Sequence, residues 1–104
     1  LIEHGADINK ENKCGETPLF GACERGNENI VKYLVEKGAN VHKECQIGRT
    51  PLFYACMSGN ENIIKYLIEH GANVDINKED DTNETPLYYA CTTGNKNIIK
   101  YLIE

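Results

Sequence analysis

A chain of 104 residues, 26% of them charged, with a formal net charge of −5, has room for one domain or part of one. No window approaches the roughly 18 uninterrupted apolar residues of a membrane-spanning helix, and the acidic balance argues against a sequence-independent hold on nucleic acid, which needs clustered Lys and Arg. Five cysteines, an odd set without the close spacing of a disulfide-stapled secreted domain, point to a reducing compartment, the cytoplasm or nucleus.

In chain order, residues 1–13 open with Leu1-Ile2-Glu3-His4-Gly5, which aligns with Leu34-Val35-Glu36-Lys37-Gly38. They read as the tail of an earlier copy of a repeated unit. That unit occupies residues 14–46, then 47–81 with a two-residue loop insertion, then in part 82–104. Thr17-Pro18-Leu19-Phe20-Gly21-Ala22-Cys23 returns as Thr50-Pro51-Leu52-Phe53-Tyr54-Ala55-Cys56 and as Thr85-Pro86-Leu87-Tyr88-Tyr89-Ala90-Cys91, at offsets of 33 and 35 residues. A second block, Gly26 to Leu34, returns at the same offsets as Gly59 to Leu67 and Gly94 to Leu102, so the two extra residues lie between Gly71 and Thr85.

Each unit reads as two short helices. Thr17, Thr50 and Thr85 are predicted N-caps whose hydroxyls accept from the first turn, and the following prolines suit the first helical position. Leu19, Ala22 and Cys23 share a narrow apolar face whose small members admit a neighbouring helix. Gly26, Gly59 and Gly94 end that helix. Asn27, Asn60 and Asn95 cap the second, which carries Ile30, Val31, Leu34 and Val35 or their equivalents as the main core stripe. Gly38 and Gly71 follow as left-handed caps, and a hairpin-like loop leads to the next Thr-Pro.

These residues resemble the ankyrin repeat family, whose pattern runs Gly, Thr-Pro-Leu-His, two small residues, Gly, an Ile-Val-containing helix and Gly-Ala-Asp. The resemblance covers the whole chain. It implies an all-α solenoid of stacked helix-turn-helix units joined by hairpin-like loops, and a non-catalytic scaffold that holds a protein partner on a concave face of loop tips and first helices; the net negative charge points to a partner with a basic surface. Phe20, Phe53 and Tyr88 stand in place of the family's His, which bears on the bonds that His makes between loops. Asn83 replaces the Gly found as Gly15 and Gly48; Asn tolerates positive φ, so the turn is expected to survive.

By resemblance, the partner-binding positions flank the loop glycine and the end of the first helix: Glu16, Arg25, Arg49, Tyr54, Met57, Asp81, Glu84 and Tyr89. Tyr54 and Tyr89 either present rings to the concave face or pack between repeats. Likewise the acidic run Glu79-Asp80-Asp81 either steers a basic partner or is a solvated loop. An alternative is that the segment is the regulatory or targeting arm of a larger enzyme, channel or ligase adaptor. Cys23, Cys56 and Cys91 read as equivalent core positions. A thiol or metal sensor using Cys14, His42 and Cys45 is a rival that lacks a C-x-x-C pair, and we expect no metal and no cofactor. Ser58, the only serine, has no base beside it, no Gly-rich phosphate cradle is present, and Asn83-Glu84-Thr85 matches a glycosylation sequon by coincidence. No enzyme is expected. Because the chain begins and stops within a repeat, with Ile98, Ile99, Leu102 and Ile103 lacking a successor, it is expected to be part of a longer array and to stack end to end.

Overall fold

The computed structural model describes residues 4–104. The expected closing of an earlier helix by Leu1-Ile2-Glu3 lies outside these residues. Six α-helices form three antiparallel pairs, with no strand among the described residues: α1 (Pro18–Arg25) with α2 (Glu28–Glu36), α3 (Pro51–Ser58) with α4 (Glu61–Glu69), and α5 (Pro86–Thr93) with α6 (Lys96–Ile103). Gly26, Gly59 and Gly94 close the first helices in the left-handed region, at φ 71–74°. Each Asn side chain then accepts from the first turn of the second helix: Asn27 from Ile30, Asn60 from Ile63, Asn95 from Ile98.

The threonines depart from expectation. Thr85 Oγ1 accepts from the Tyr88 N–H at 3.3 Å, but the hydroxyls of Thr17 and Thr50 are buried without a protein partner. In those two repeats the N–H of Phe20 or Phe53 bonds to the threonine carbonyl instead, each at 3.0 Å. Phe20 and Phe53, lacking the nitrogens of the family's His, cannot serve the hydroxyl; they lie edge-on to Tyr54 and Tyr89 of the next repeat, ring centroids 5.6 and 6.1 Å apart.

The core runs along the stack as Leu19, Cys23, Val31, Leu52, Ala55, Cys56, Ile64, Leu67 and Ala90. The first helices pack on one another more closely than the second helices do, as the small Ala and Cys side chains between them permit. Cys91 corrects the expectation of three equivalent core thiols. Cys23 and Cys56 are covered by the helix of the next repeat, whereas Cys91, with no described helix beyond it, is exposed. Ile98, for which no later repeat is described, is buried at 1% exposure, as its equivalent Ile63 is, whereas Ile30 of the first repeat is 45% exposed.

The two inserted residues sit between Gly71 and Asp80, since Gly38 to Cys45 spans two fewer positions. They are taken up by a 3₁₀ turn over Ala72–Asp75. This turn pushes Val74 out to 73% exposure and brings Ile76 to the place that Val41 holds one repeat earlier. It also buries Asp75, whose Oδ2 lies 2.8 Å from His42 Nδ1 of the preceding loop.

Candidate partner-binding strip along the loop tips

Each loop ends in a tight turn five residues before the Thr-Pro step. Asn12 N–H bonds to the Glu16 carbonyl and Gly15 N–H to the Asn12 carbonyl, and the pattern repeats at Cys45, Gly48 and Arg49 and at Asp80, Asn83 and Glu84. The turn needs a left-handed residue, which is Gly15 and Gly48 at φ 78° and Asn83 at φ 63°. A Cβ on Gly48 would come within 3.1 Å of Asp81 Oδ1, and one on Gly15 within 3.3 Å of the Gln46 nitrogen, because the next tip presses against each. Asn83 keeps the turn, as expected.

Successive tips are joined in register. Gln46 N–H donates to the Cys14 carbonyl and Asp81 N–H to the Ile47 carbonyl, both at 2.9 Å. The result is a continuous strip that presents Lys13, Gln46, Ile47 and Asp81, with Ile47 45% exposed at its centre.

Behind the strip lies a polar network that crosses both repeat boundaries. Tyr54 Oη donates to Glu16 Oε2 at 3.0 Å. Arg49 donates through Nε to Asp80 Oδ2 at 3.1 Å and through Nη2 to Tyr89 Oη at 2.9 Å. Tyr89 Oη lies 3.0 Å from Asp80 Oδ2 and 2.5 Å from Glu84 Oε1, to which it donates. The guanidinium also lies over the Tyr54 and Tyr89 rings, 5.9 and 5.2 Å from their centroids.

Asp80 is the centre of this network. Its Oδ1 accepts from Thr82 N–H and Oγ1 and from Glu84 N–H, as Asn12 Oδ1 accepts from Cys14 and Glu16 N–H in the first tip. Burial pushes its carboxyl up, but the bonds from the Glu84 backbone, Thr82, Arg49 and Tyr89 outweigh burial and hold it well below the usual carboxylate range. Burial raises the Tyr54 hydroxyl to about 12, with the bond to Glu16 adding to the rise.

Five of the eight sequence-predicted residues therefore meet: Glu16, Arg49, Tyr54, Glu84 and Tyr89. Asp81 stands beside them on the strip. Arg25, exposed in the last turn of α1, and Met57, half-buried near the end of α3, take no part in the network. Tyr54 and Tyr89, both half-buried, pack between repeats with their hydroxyls engaged. Sequence reasoning treated Asp80 as one member of a charge run; the signal was its position five residues before Thr85, where Asn12 stands before Thr17.

Compared with known families, residues 1–80 match Ankyrin repeats (3 copies) and residues 82–104 match Ankyrin repeat. The chain belongs to the ankyrin repeat family. Ankyrin repeats generally mediate protein–protein interaction, and the family is typically non-catalytic. Among curated proteins, no match to this ankyrin chain is found. Among the described residues of the array, no three His, Cys, Asp or Glu side chains converge as a metal site, and no helix is long and apolar enough to cross a membrane. Of the residues considered for a sensor, Cys14 is exposed, Cys45 is buried, and His42 is engaged by Asp75.

Proposed function

We propose that this ankyrin segment is a non-catalytic module that receives a protein partner along the strip of loop tips and the exposed ends of the first helices, working in the cytoplasm or nucleus. The observation that carries the reading is the registered strip itself: three tips locked together by backbone bonds, with Ile47 exposed between charged neighbours. A rigid row of this kind meets a partner with little ordering cost. Asp81 stands on it, Glu16 and Glu84 lie behind it, and Arg49 is already paired with Asp80, so the field favours a partner with a basic surface. Arg25 and Met57 lie at the helix-end margin of the same face. Tyr54 and Tyr89 act by holding the strip rigid.

The test is an affinity capture with the segment as bait, comparing wild type with an Ile47→Asp, Asp81→Lys double variant and with a Lys37→Glu variant on the opposite side. The expected result is a protein retained by wild type and by Lys37→Glu and lost by the double variant, with all three melting alike. Retention by the double variant would remove the strip as the docking surface.

A further inference from the structure

Three equivalent places along the strip of loop tips carry unlike charges. Lys13, Gln46 and Asp81 each follow the residue that opens its turn, Asn12, Cys45 or Asp80. All three are exposed. Gln46 has a repeat on either side and is exposed nonetheless, so this place faces away from the array whatever adjoins the first and third tips. Other loop charges are paired within the array: Lys43 with Glu11 and Lys78 with Glu44, both at 2.7 Å, and Arg49 with Asp80 at 3.1 Å. The row of Lys13, Gln46 and Asp81 stands outside that ladder. No ion pair engages Lys13 or Asp81 among the described residues.

One residue further into each turn stand Cys14, Ile47 and Thr82. Ile47 is 45% exposed although repeats flank it on both sides. Its carbonyl accepts from the Asp81 N–H at 2.9 Å, and the Asp81 carboxylate leans back toward the second tip, where Oδ1 would be 3.1 Å from a Cβ on Gly48. The aliphatic side chain and the carboxylate are therefore neighbours, while Lys13 stands beyond Gln46 on the far side. Tips carried on stacked helices repeat at the helix packing distance, about 8–10 Å. An extended chain advances about 3.3 Å per residue, with alternate side chains on one face. Lys13 and Asp81, two repeats apart, thus match side chains about six residues apart on one face of an extended segment.

We propose, on the footing that the strip is the docking surface, that its occupant is an extended segment of the partner with three marks: a Lys or Arg over Asp81, an apolar side chain about two residues away over Ile47, and an Asp or Glu about six residues from the cation over Lys13. Charge complementarity sets this order. A uniformly basic segment, which the net charge of −5 attracts at long range, meets Lys13 at one end and is disfavoured there. Net charge therefore brings a basic surface to the strip, and the row selects a segment of it that also carries an acid. Because the tips are already tied by backbone bonds, the ordering cost falls on the segment alone.

The test is panning of a random dodecapeptide phage library on the 104-residue chain and on its Lys13→Glu and Asp81→Lys variants, with melting curves to show that each is folded. Wild type is expected to enrich peptides with a basic residue about two positions from an apolar one and an acid about six positions from the basic one. Lys13→Glu should enrich peptides that are basic at both places, and Asp81→Lys peptides that are acidic at both. A synthetic peptide selected by wild type, followed by fluorescence anisotropy, should bind Lys13→Glu about fivefold more weakly, and replacing its acid by Lys should reverse that preference. Basic and apolar peptides enriched alike by wild type and Lys13→Glu would overturn the proposal while leaving the strip as the docking surface. Selection of the same peptides by the Ile47→Asp, Asp81→Lys double variant would remove the strip as well. A wild type that enriches no sequence would overturn the extended segment as occupant, and the affinity capture would then decide the strip by itself.

Discussion

Arg49 of the second loop donates through Nε to the carboxylate of Asp80 in the third, 3.1 Å away across a repeat boundary, with the Asp80 side chain only 2% exposed. Removing the cation leaves a buried carboxylate facing its own repeat alone. Arg49→Ala should therefore cost about 3 kcal/mol of unfolding free energy, read from urea melts. Adding Asp80→Asn should recover part of that loss, because the orphaned charge is gone. Additive costs would show that the two side chains are not coupled.

The same carboxylate sets the acid limit of the fold. Because the folded state holds Asp80 below its ordinary value of about 3.9, the unfolded chain binds more protons as pH drops, and stability falls with it. The contribution is whole above about pH 4 and is lost as pH falls through the folded value. Asp80→Asn should lower stability at neutral pH and narrow its gap to wild type below about pH 4. Denaturant titrations at stepped pH would show a constant gap if Asp80 were irrelevant.

Thr50 is fully buried and its hydroxyl has no protein partner. Thr50→Val keeps the branched shape while removing the unsatisfied group, so it should stabilise the array by about 1 kcal/mol and raise Tm by about 4–8 °C. Thr85→Val should do the opposite, since Thr85 Oγ1 caps α5. Calorimetry of the two variants gives the comparison directly.

Thiol chemistry reports the same packing. Burial pushes the Cys23 and Cys56 thiols up to about 12, with Cys56 adding to the rise at Cys23. Among the five cysteines, Cys14 and Cys91 are exposed and Cys23, Cys45 and Cys56 are buried. A thiol-specific chromogenic reagent should titrate two groups quickly and the other three only on unfolding.

Much of the fold was legible before any coordinates because the repeat restates each local signal three times. Proline after Thr17, Thr50 and Thr85, glycine at 26, 59 and 94, and the caps Asn27, Asn60 and Asn95 act within a few residues of themselves, so their meaning does not depend on distant packing. The site was only half legible. Glu16, Arg49, Tyr54, Glu84 and Tyr89 were singled out, but their joining through Asp80 was not, because that depends on which side chain of one loop meets which of the next.

By itself the sequence determined the period, the helix starts and ends, the left-handed turns and the place of the insertion, all consequences of backbone conformation over short spans. Tertiary structure alone decided that Thr17 and Thr50 do not cap, that Cys91 is exposed while Cys23 and Cys56 are buried, and that the tyrosines pack between repeats. Those outcomes follow from what lies against each residue across a repeat boundary, and identical local sequence carries no record of whether a neighbour is there.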